Sequence, residues 1–257
     1  MTYGCSVSIE AKAVSRITPC DRCPLRARKG LRAFSSDELG FIKTFKIDEL
    51  HLQPGVTILQ QDMPSDHLFT VLRGWAIRYK ALEDGRRQIL NYALPADLIG
   101  LQGSVLDQME HTVEALTEVS LCVFPRRKLW ELYSQFPSLA FDVTWLAARE
   151  EQLLDSGLLN IGRRTALERT AYLLLQLFVR AEEAGLTHND SIQFPFTQQH
   201  LADTLGMSLV HTNKTLKRLF ATGAVRWKDR VFQVVHRDVL VDIAGESVAL
   251  HPARPFL

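Results

Sequence analysis

The hydrophobic period of this chain changes once, and that change limits the folds open to it. From about Leu50 to Phe124 the apolar residues fall in short alternating runs, "HLQPGVTILQQ", "DHLFTVLRGWAIRYKAL", "RQILNYALPADLIG" and "TVEALTEVSLCVFP", with Gly55, Gly74, Gly85 and Gly100 at the breaks. Period-two runs punctuated by glycine make antiparallel strands, so this stretch reads as one all-β sandwich or barrel. Asp84-Gly85 predicts a hairpin turn between strands ending near Tyr79 and resuming near Gln88. After Pro125 the period lengthens. From Pro137 to Ile161 the residues Leu139, Val143, Leu146, Leu153, Leu154, Leu158 and Ile161 recur at helical spacing with no further proline, a helix of about six or seven turns. Its stripe is narrow and interrupted by Glu150, which suits a coiled-coil seam between two copies; the alternative is a helix packed on its own barrel.

A second helix is expected over about Arg163 to Ala184, with Leu167, Ala171, Leu174, Leu175 and Phe178 inward and Gly185 just past its end. Beyond it, "TQQHLADTLGMSLVHTNKTLKRLFATGAV", residues 197 to 225, has helix-turn-helix spacing. Thr197 caps a first helix that turns Leu201, Ala202 and Leu205 inward, Gly206 permits the tight turn, and Ser208 caps a second helix. Thr212 and Thr215 fall where such motifs usually bury aliphatic side chains. A hairpin follows in "GAVRWKDRVFQVVH", turning near Lys228-Asp229, which makes the motif a winged one. The tail "HPARPFL" carries no pattern that assigns it a partner.

Charge supports a nucleic-acid partner locally rather than globally. The net charge of the 257 residues is only +1, yet between Gly206 and Arg237 there are seven Lys or Arg against a single acid, Asp229. The second helix belongs in the DNA major groove with its early residues near base edges, Lys214, Lys217 and Arg218 contacting phosphates or guanine, and wing residues Arg226, Lys228 and Arg230 touching backbone. Nothing in the sequence is apolar for long enough to span a bilayer and the N-terminus lacks a secretory pattern, so the expected location is the cytoplasm. Four cysteines are too few for a disulfide scaffold. In a reducing compartment the Cys-x-x-Cys of "PCDRCPLR" points instead to metal or redox chemistry.

The barrel motif "PGVTILQQDMPSDHLFTVLRG", a long helix starting at "FPSLAFDV" and a C-terminal winged helix-turn-helix together resemble the Crp/Fnr superfamily of bacterial transcription regulators, over nearly the whole chain. The resemblance implies an α+β fold: an N-terminal double-stranded β-helix barrel of the cyclic-nucleotide-binding type, a long dimerisation helix and the winged helix-turn-helix. The expected division is a Cys-containing segment (1–34), the barrel sensor (35–136), the dimerisation helix (137–161), the DNA-binding domain (162–245) and a tail (246–257). It further implies a homodimer on a palindromic double-stranded DNA site, paired through Leu139, Val143, Leu146, Glu150, Leu153, Leu158 and Ile161, with RNA polymerase as a further partner. By family register the base-reading positions fall on Leu209, Val210, Asn213 and Lys214, beside Ser208 and His211. Val210 cannot accept from cytosine but can pack on a thymine methyl, and Lys214 can donate to guanine without a bidentate fork.

Two signals are open to the barrel. Cyclic AMP needs an acid for the ribose and an arginine for the phosphate. Here Leu101 and Gln102 stand in the first place and Glu110-His111-Thr112 in the second, so cAMP is not expected. The Fnr branch is closer, because its oxygen sensors hold a four-iron, four-sulfur (4Fe-4S) cluster on N-terminal cysteines plus one late in the barrel. Cys20, Cys23 and Cys122 match that pattern, while the third N-terminal cysteine is missing, so the fourth ligand falls to Cys5 or to an oxygen such as that of Asp21. Flanking Arg22, Arg26, Arg28 and Lys29 are expected to lower the thiol pKa and offset the charge of an iron-sulfur cluster. A reversible disulfide, half of a zinc site, and relic cysteines in a regulator that senses haem, nitric oxide or a small ligand in its barrel are the alternatives. So is a plain buried thiol at Cys122. A metal-dependent barrel enzyme would need two histidines and a carboxylate; His51, His67 and His111 are present without a His-x-Asp or His-x-Glu pair, and no enzyme is expected.

Overall fold

A computed structural model describes residues 17–28, 30–249 and 254–257. A helix α1 (Ser36–Phe45) is followed by β1 (Asp48–Leu52), β2 (Thr57–Leu59), β3 (His67–Arg73), β4 (Ala76–Ala81), β5 (Arg87–Ala93) and β6 (Leu98–Ile99), then α2 (Leu101–Val105), β7 (Thr112–Ala115), β8 (Val119–Pro125) and α3 (Leu129–Gln135). The eight strands form two four-stranded sheets, ordered β1-β8-β3-β6 and β2-β7-β4-β5, with antiparallel pairing throughout. Gly85 takes its left-handed φ in the predicted turn between β4 and β5. Gly74, between β3 and β4, is obligatory for a second reason: a Cβ there would lie 2.1 Å from the Glu118 carbonyl oxygen.

The apolar runs of β3 and β8 are buried on both faces, and the period of two sorts their side chains. Phe69, Val71, Leu121 and Val123 fill the barrel interior, whereas Leu68, Leu72, Cys122 and Phe124 face outward into a second core with Phe41, Ile42 and Phe45 of α1. Helix α1 lies outside the elements expected from the hydrophobic period, but its start is legible in "SSDEL". Ser35 accepts from the Glu38 amide and Glu38 answers the Ser35 amide, a complete capping box.

The long helix α4 runs Pro137–Arg163, with proline at its first turn where no amide hydrogen is needed. Leu139, Val143, Leu146 and Leu153 are buried within the protomer, the first three in the outer core of the barrel. This corrects the expected seam: those leucines and Val143 lie on the face carrying Glu150, and Glu150 pairs with Arg78 of β4, so the face is turned toward the chain's own barrel. Phe141, Leu158 and Leu159 stay largely exposed, at 69%, 69% and 51%, and Ile161 is half-buried. Of the expected seam, Leu158 and Ile161 thus stay open to a partner while Leu139, Val143, Leu146 and Leu153 do not, and Phe141 and Leu159 add exposed apolar surface that was not expected.

The rest of the chain comprises α5 (Ala166–Glu183), β9 (Ser191–Gln193), α6 (Gln198–Leu205), α7 (Leu209–Ala221), β10 (Val225–Lys228), β11 (Val231–Val234) and α8 (Arg237–Ala244). Thr165 and Glu168 cap α5 as a second capping box. The wing hairpin turns at Asp229-Arg230, both with positive φ, one residue later than expected, and a third strand, β9, joins it. This part does not stand apart from the barrel. Trp75, Ile77, Ile89, Tyr92 and Leu94 share one core with α5, α6 and α7, and the Phe196 ring lies 5.2 Å from Trp75 and 4.5 Å from Tyr92.

Candidate nucleic-acid interface and thiol cavity

The helix-turn-helix is built as its sequence directs. Thr197 accepts from the His200 amide at the start of α6, Gly206 closes it with φ +62°, and Ser208 accepts from the His211 amide at the start of α7. Leu201, Ala202 and Leu205 are buried beneath α7. The two threonines are buried as well, and each hydroxyl donates to the carbonyl four residues earlier, Thr212 to Ser208 and Thr215 to His211. A threonine that satisfies its own hydroxyl this way presents a methyl to the core and substitutes for valine.

Of the predicted contact residues, Ser208, Leu209, Val210, His211, Lys214, Lys217 and Arg218 are exposed on α7 and its cap, and Arg226, Lys228 and Arg230 are exposed on the wing. Asn213 is half-buried, and its side-chain carbonyl oxygen is buried with no hydrogen-bond partner among the described residues. The opposite side of the motif is pinned to the barrel. Arg87 pairs with Asp203 at 2.8 Å, Gln88 donates to the Thr204 carbonyl at 2.8 Å, and the Tyr92 hydroxyl lies 2.6 Å from that of Thr204. Thus β5 holds α6 while α7 and the wing face solvent with their cations.

The cysteine segment packs against the outer face of β8 and α1. Residues Cys20–Arg22 form one short 3-10 turn. Cys20 and Cys23, both half-buried, line one small cavity with the buried Cys122, together with Lys46, Phe34, Phe256 and Leu257. The sequence therefore paired the right residues: β8 turns Cys122 out of the barrel interior and toward the N-terminal turn. Lys46 donates to Glu49 at 3.0 Å and to the Thr18 carbonyl at 2.9 Å. The expected lowering of thiol pKa is overturned at Cys20. Burial pushes the Cys122 thiol up to about 12 against the pull of Lys46, and burial also raises Cys20 against Lys46 and Lys43. The arginines act elsewhere: Arg26 donates to the Asp21 carbonyl and Arg28 to that of Ala184, while Lys29 and Cys5 lie outside the described residues.

A cyclic nucleotide-binding domain model matches residues 49–136, and a Crp-like helix-turn-helix domain model matches residues 168–243. The chain belongs to the Crp/Fnr superfamily of transcription regulators. It is 27% identical over 211 residues to the transcriptional activator protein FnrL of Cereibacter sphaeroides, covering 80% of this chain and 83% of that one. It is 28% identical over 206 residues to the nitrogen fixation regulation protein FixK of Bradyrhizobium diazoefficiens, covering 80% and 85%. The solved structure of FixK2 from Bradyrhizobium japonicum superposes with a TM-score of 0.70 at 26% identity, covering 79% of this chain and 98% of that one. These relatives and this fold are those of regulators, not of enzymes.

In Crp/Fnr terms, two effector places can be tested against the residues present. Between the barrel and α4 lies a cleft of about 630 Å³ lined by Arg78, Gln102, His111, Glu150 and Leu154 among others. Arg78 was not foreseen in this cleft. Its Nε donates to His111 Nε2 at 3.0 Å and its guanidinium is committed to Glu150. Burial, with Arg78 and Lys80 beside it, holds the His111 imidazole down to about 3, so it is neutral at physiological pH and offers no charge to a phosphate. The second place is the thiol cavity. Among the described residues no group of three or more His, Cys, Asp or Glu side chains is arranged to hold a metal ion, and the cavity measures about 20 Å³. That is room for one water molecule, and the arrangement does not fit a four-iron cluster.

Proposed function

We propose that this regulator binds a two-fold symmetric double-stranded DNA site as a homodimer, with α7 in the major groove and the β10-β11 wing on the backbone. The carrying observation is the one-sided exposure of cations: Lys214, Lys217, Arg218, Arg226, Lys228 and Arg230 face solvent together, while the reverse side is bonded to β5. Leu209, Val210 and Lys214 occupy the first turns of α7, where base edges are read. Half-site centres one helical turn apart, about 10 base pairs, follow from two-fold pairing. The pairing surface is the exposed α4 face bearing Phe141, Leu158 and Leu159 rather than Leu139, Val143 and Leu146. Such a regulator acts in the cytoplasm and has RNA polymerase as its downstream partner; among the described residues no helix is long and apolar enough to cross a membrane.

The signal enters through the N-terminal cysteine turn, which joins the barrel to the start of α4 through Arg32, bonded to both Glu38 and Asp142. Thiol chemistry is the reading that the cavity supports; an iron-sulfur cluster would require the segment, with Cys5, to adopt another arrangement. Metal and sulfide content of protein purified without oxygen, beside a Cys20→Ser variant, decides between them. Iron and sulfide lost in the variant establish the cluster, and metal-free protein whose DNA affinity depends on thiol state establishes the thiol switch. For DNA binding itself, a selected palindrome must compete at least a hundredfold better than random duplex at fixed salt; equal competition would sink the reading.

A second reading has its own observation. The apolar cleft beside α4 contains the buried Gln102 side-chain oxygen, which has no hydrogen-bond partner among the described residues. A small neutral ligand with one N–H or O–H donor suits it, and a ligand-dependent rise in melting temperature, abolished by Gln102→Leu, is the expected result.

A further inference from the structure

The tail with no legible pattern in the sequence has a partner in the fold. The Arg254 amide donates to the Gly30 carbonyl at 2.7 Å and the Arg32 amide donates to the Arg254 carbonyl at 2.9 Å, a short parallel pairing with the cysteine segment. The buried Arg254 guanidinium pairs with Asp97, the same carboxylate that takes Arg180 of α5 at 2.8 Å. The Phe256 ring lies 4.8 Å from that of Phe34, and Phe256 and Leu257 are 2% and 3% exposed. Both side chains line the thiol cavity with Cys20, Cys23 and Cys122.

We propose that residues 254–257 are a strap that closes the cavity lined by the three cysteines and covers the buried Cys122 thiol, so that docking of the strap and occupation of that cavity exclude one another. The cavity of about 20 Å³ accommodates one water molecule. Any larger group on the Cys122 sulfur, whether an alkyl adduct, a glutathione moiety or a metal cluster, displaces Phe256 and Leu257 from the cavity. The consequence extends to α5. Arg254 and Arg180 share Asp97, so removing the strap alters the charge balance at the point where α5 meets the barrel. Arg28, beside the cysteines, also bonds the Ala184 carbonyl at the end of α5, giving a second link from the thiol segment to the same helix. Coupling of this kind is reciprocal: whatever favours the released strap favours modified thiols, and DNA binding that prefers one strap state shifts thiol accessibility by the same factor. The closure stands by itself; only its consequence at DNA rests on the thiol-sensing reading.

The test is alkylation of the reduced full chain by N-ethylmaleimide, followed peptide by peptide, beside a chain ending at residue 249. Alkylation of Cys122 at least tenfold faster in the shortened chain is expected; equal rates overturn the strap. Should the shortened chain lose its fold by circular dichroism, the intact protein answers instead. Hydrogen exchange at the Arg32 and Arg254 amides and alkylation of Cys122 should then share one opening reaction, with the same dependence on sub-denaturing urea. Free exchange at those amides while Cys122 stays protected overturns the closure. Affinity of the folded shortened chain for the selected palindrome separates the two readings. Faster alkylation with unchanged affinity removes the link to DNA, and absence of specific binding by the intact chain under both reducing and oxidising conditions removes the regulator reading while leaving the strap intact.

Discussion

Asp97, at the rim of the barrel, accepts a hydrogen bond from Arg180 of α5 at 2.8 Å, and the two side chains are only 5% and 6% exposed. Burial alone would raise the Asp97 carboxyl, but Arg254 and Arg180 hold it below the usual range. Removing Asp97 strands two buried guanidinium groups in a medium that solvates them poorly, so Asp97→Ala should cost about 3–5 kcal/mol, and Arg180→Met less, because Arg254 still answers the carboxylate. Asp97→Asn should cost less than Asp97→Ala, because the amide still accepts one hydrogen bond. Chemical denaturation of the three variants checks the order.

Glu38 links three elements: it caps α1, pairs with Arg32 at 3.0 Å and accepts from Ser138 of α4 at 2.7 Å. Burial opposes its ionisation, but Arg32, Ser138 and the Ser35 amide lower its pKa from 4.5 to about 2. A carboxylate depressed on folding contributes stability that is complete above its unfolded pKa and disappears as pH falls through the folded one. The wild-type chain should lose this contribution between about pH 4.5 and 2. In Glu38→Gln that part of the acid limb should be absent from the melting temperature measured against pH.

On α7, the exposed Lys214 and Lys217 separate specificity from affinity. Lys217→Ala should weaken binding to all duplexes alike and lower the slope of log K against log salt by about 0.9, the release of one counterion. Lys214→Ala should cost about 1–3 kcal/mol on the selected palindrome and relax preference at one base pair. Fluorescence anisotropy over a salt series reads both.

Thr215 is 1% exposed and bonds its own helix. Its hydroxyl draws on no other element, so Thr215→Val should change stability by less than about 1 kcal/mol in either direction. Thr215→Asp should unfold the motif, since it buries an unpaired charge. Thermal melts of the two variants are the measurement.

Association should depend on residues that the protomer leaves exposed. Leu158→Glu and Phe141→Glu should give monomers by analytical ultracentrifugation with little change in protomer melting, whereas Leu139→Ala should cost about 2–5 kcal/mol of fold stability. A dimer that survives both glutamates would place the interface elsewhere.

Much of the architecture follows from local rules that operate within a few residues. The change from period two to helical period marks where the barrel ends and α4 begins. Thr197, Gly206 and Ser208 set the helix-turn-helix because capping and a left-handed turn are properties of single positions. The solvent-facing cations of α7 and the wing were legible for the same reason, whereas the Cys20, Cys23, Cys122 grouping came from the resemblance to the Fnr branch, and the fold lines one cavity with all three.

What the sequence by itself determined is therefore the order and kind of elements, the capped motif and the charges it presents. Only the tertiary structure decided which face of α4 the barrel claims, that β5 grips α6, that burial raises Cys20 and Cys122 against the neighbouring lysines, and that residues 254–257 pack against the cavity these thiols line. The physical reason is range. Periodicity and capping act along the chain, whereas desolvation and ion pairing depend on what arrives from far away, as Arg254 does at Asp97, 157 residues distant in sequence. The apolar residues of α4 lie on more than one face, and which of those faces the barrel takes is settled by the three-dimensional arrangement.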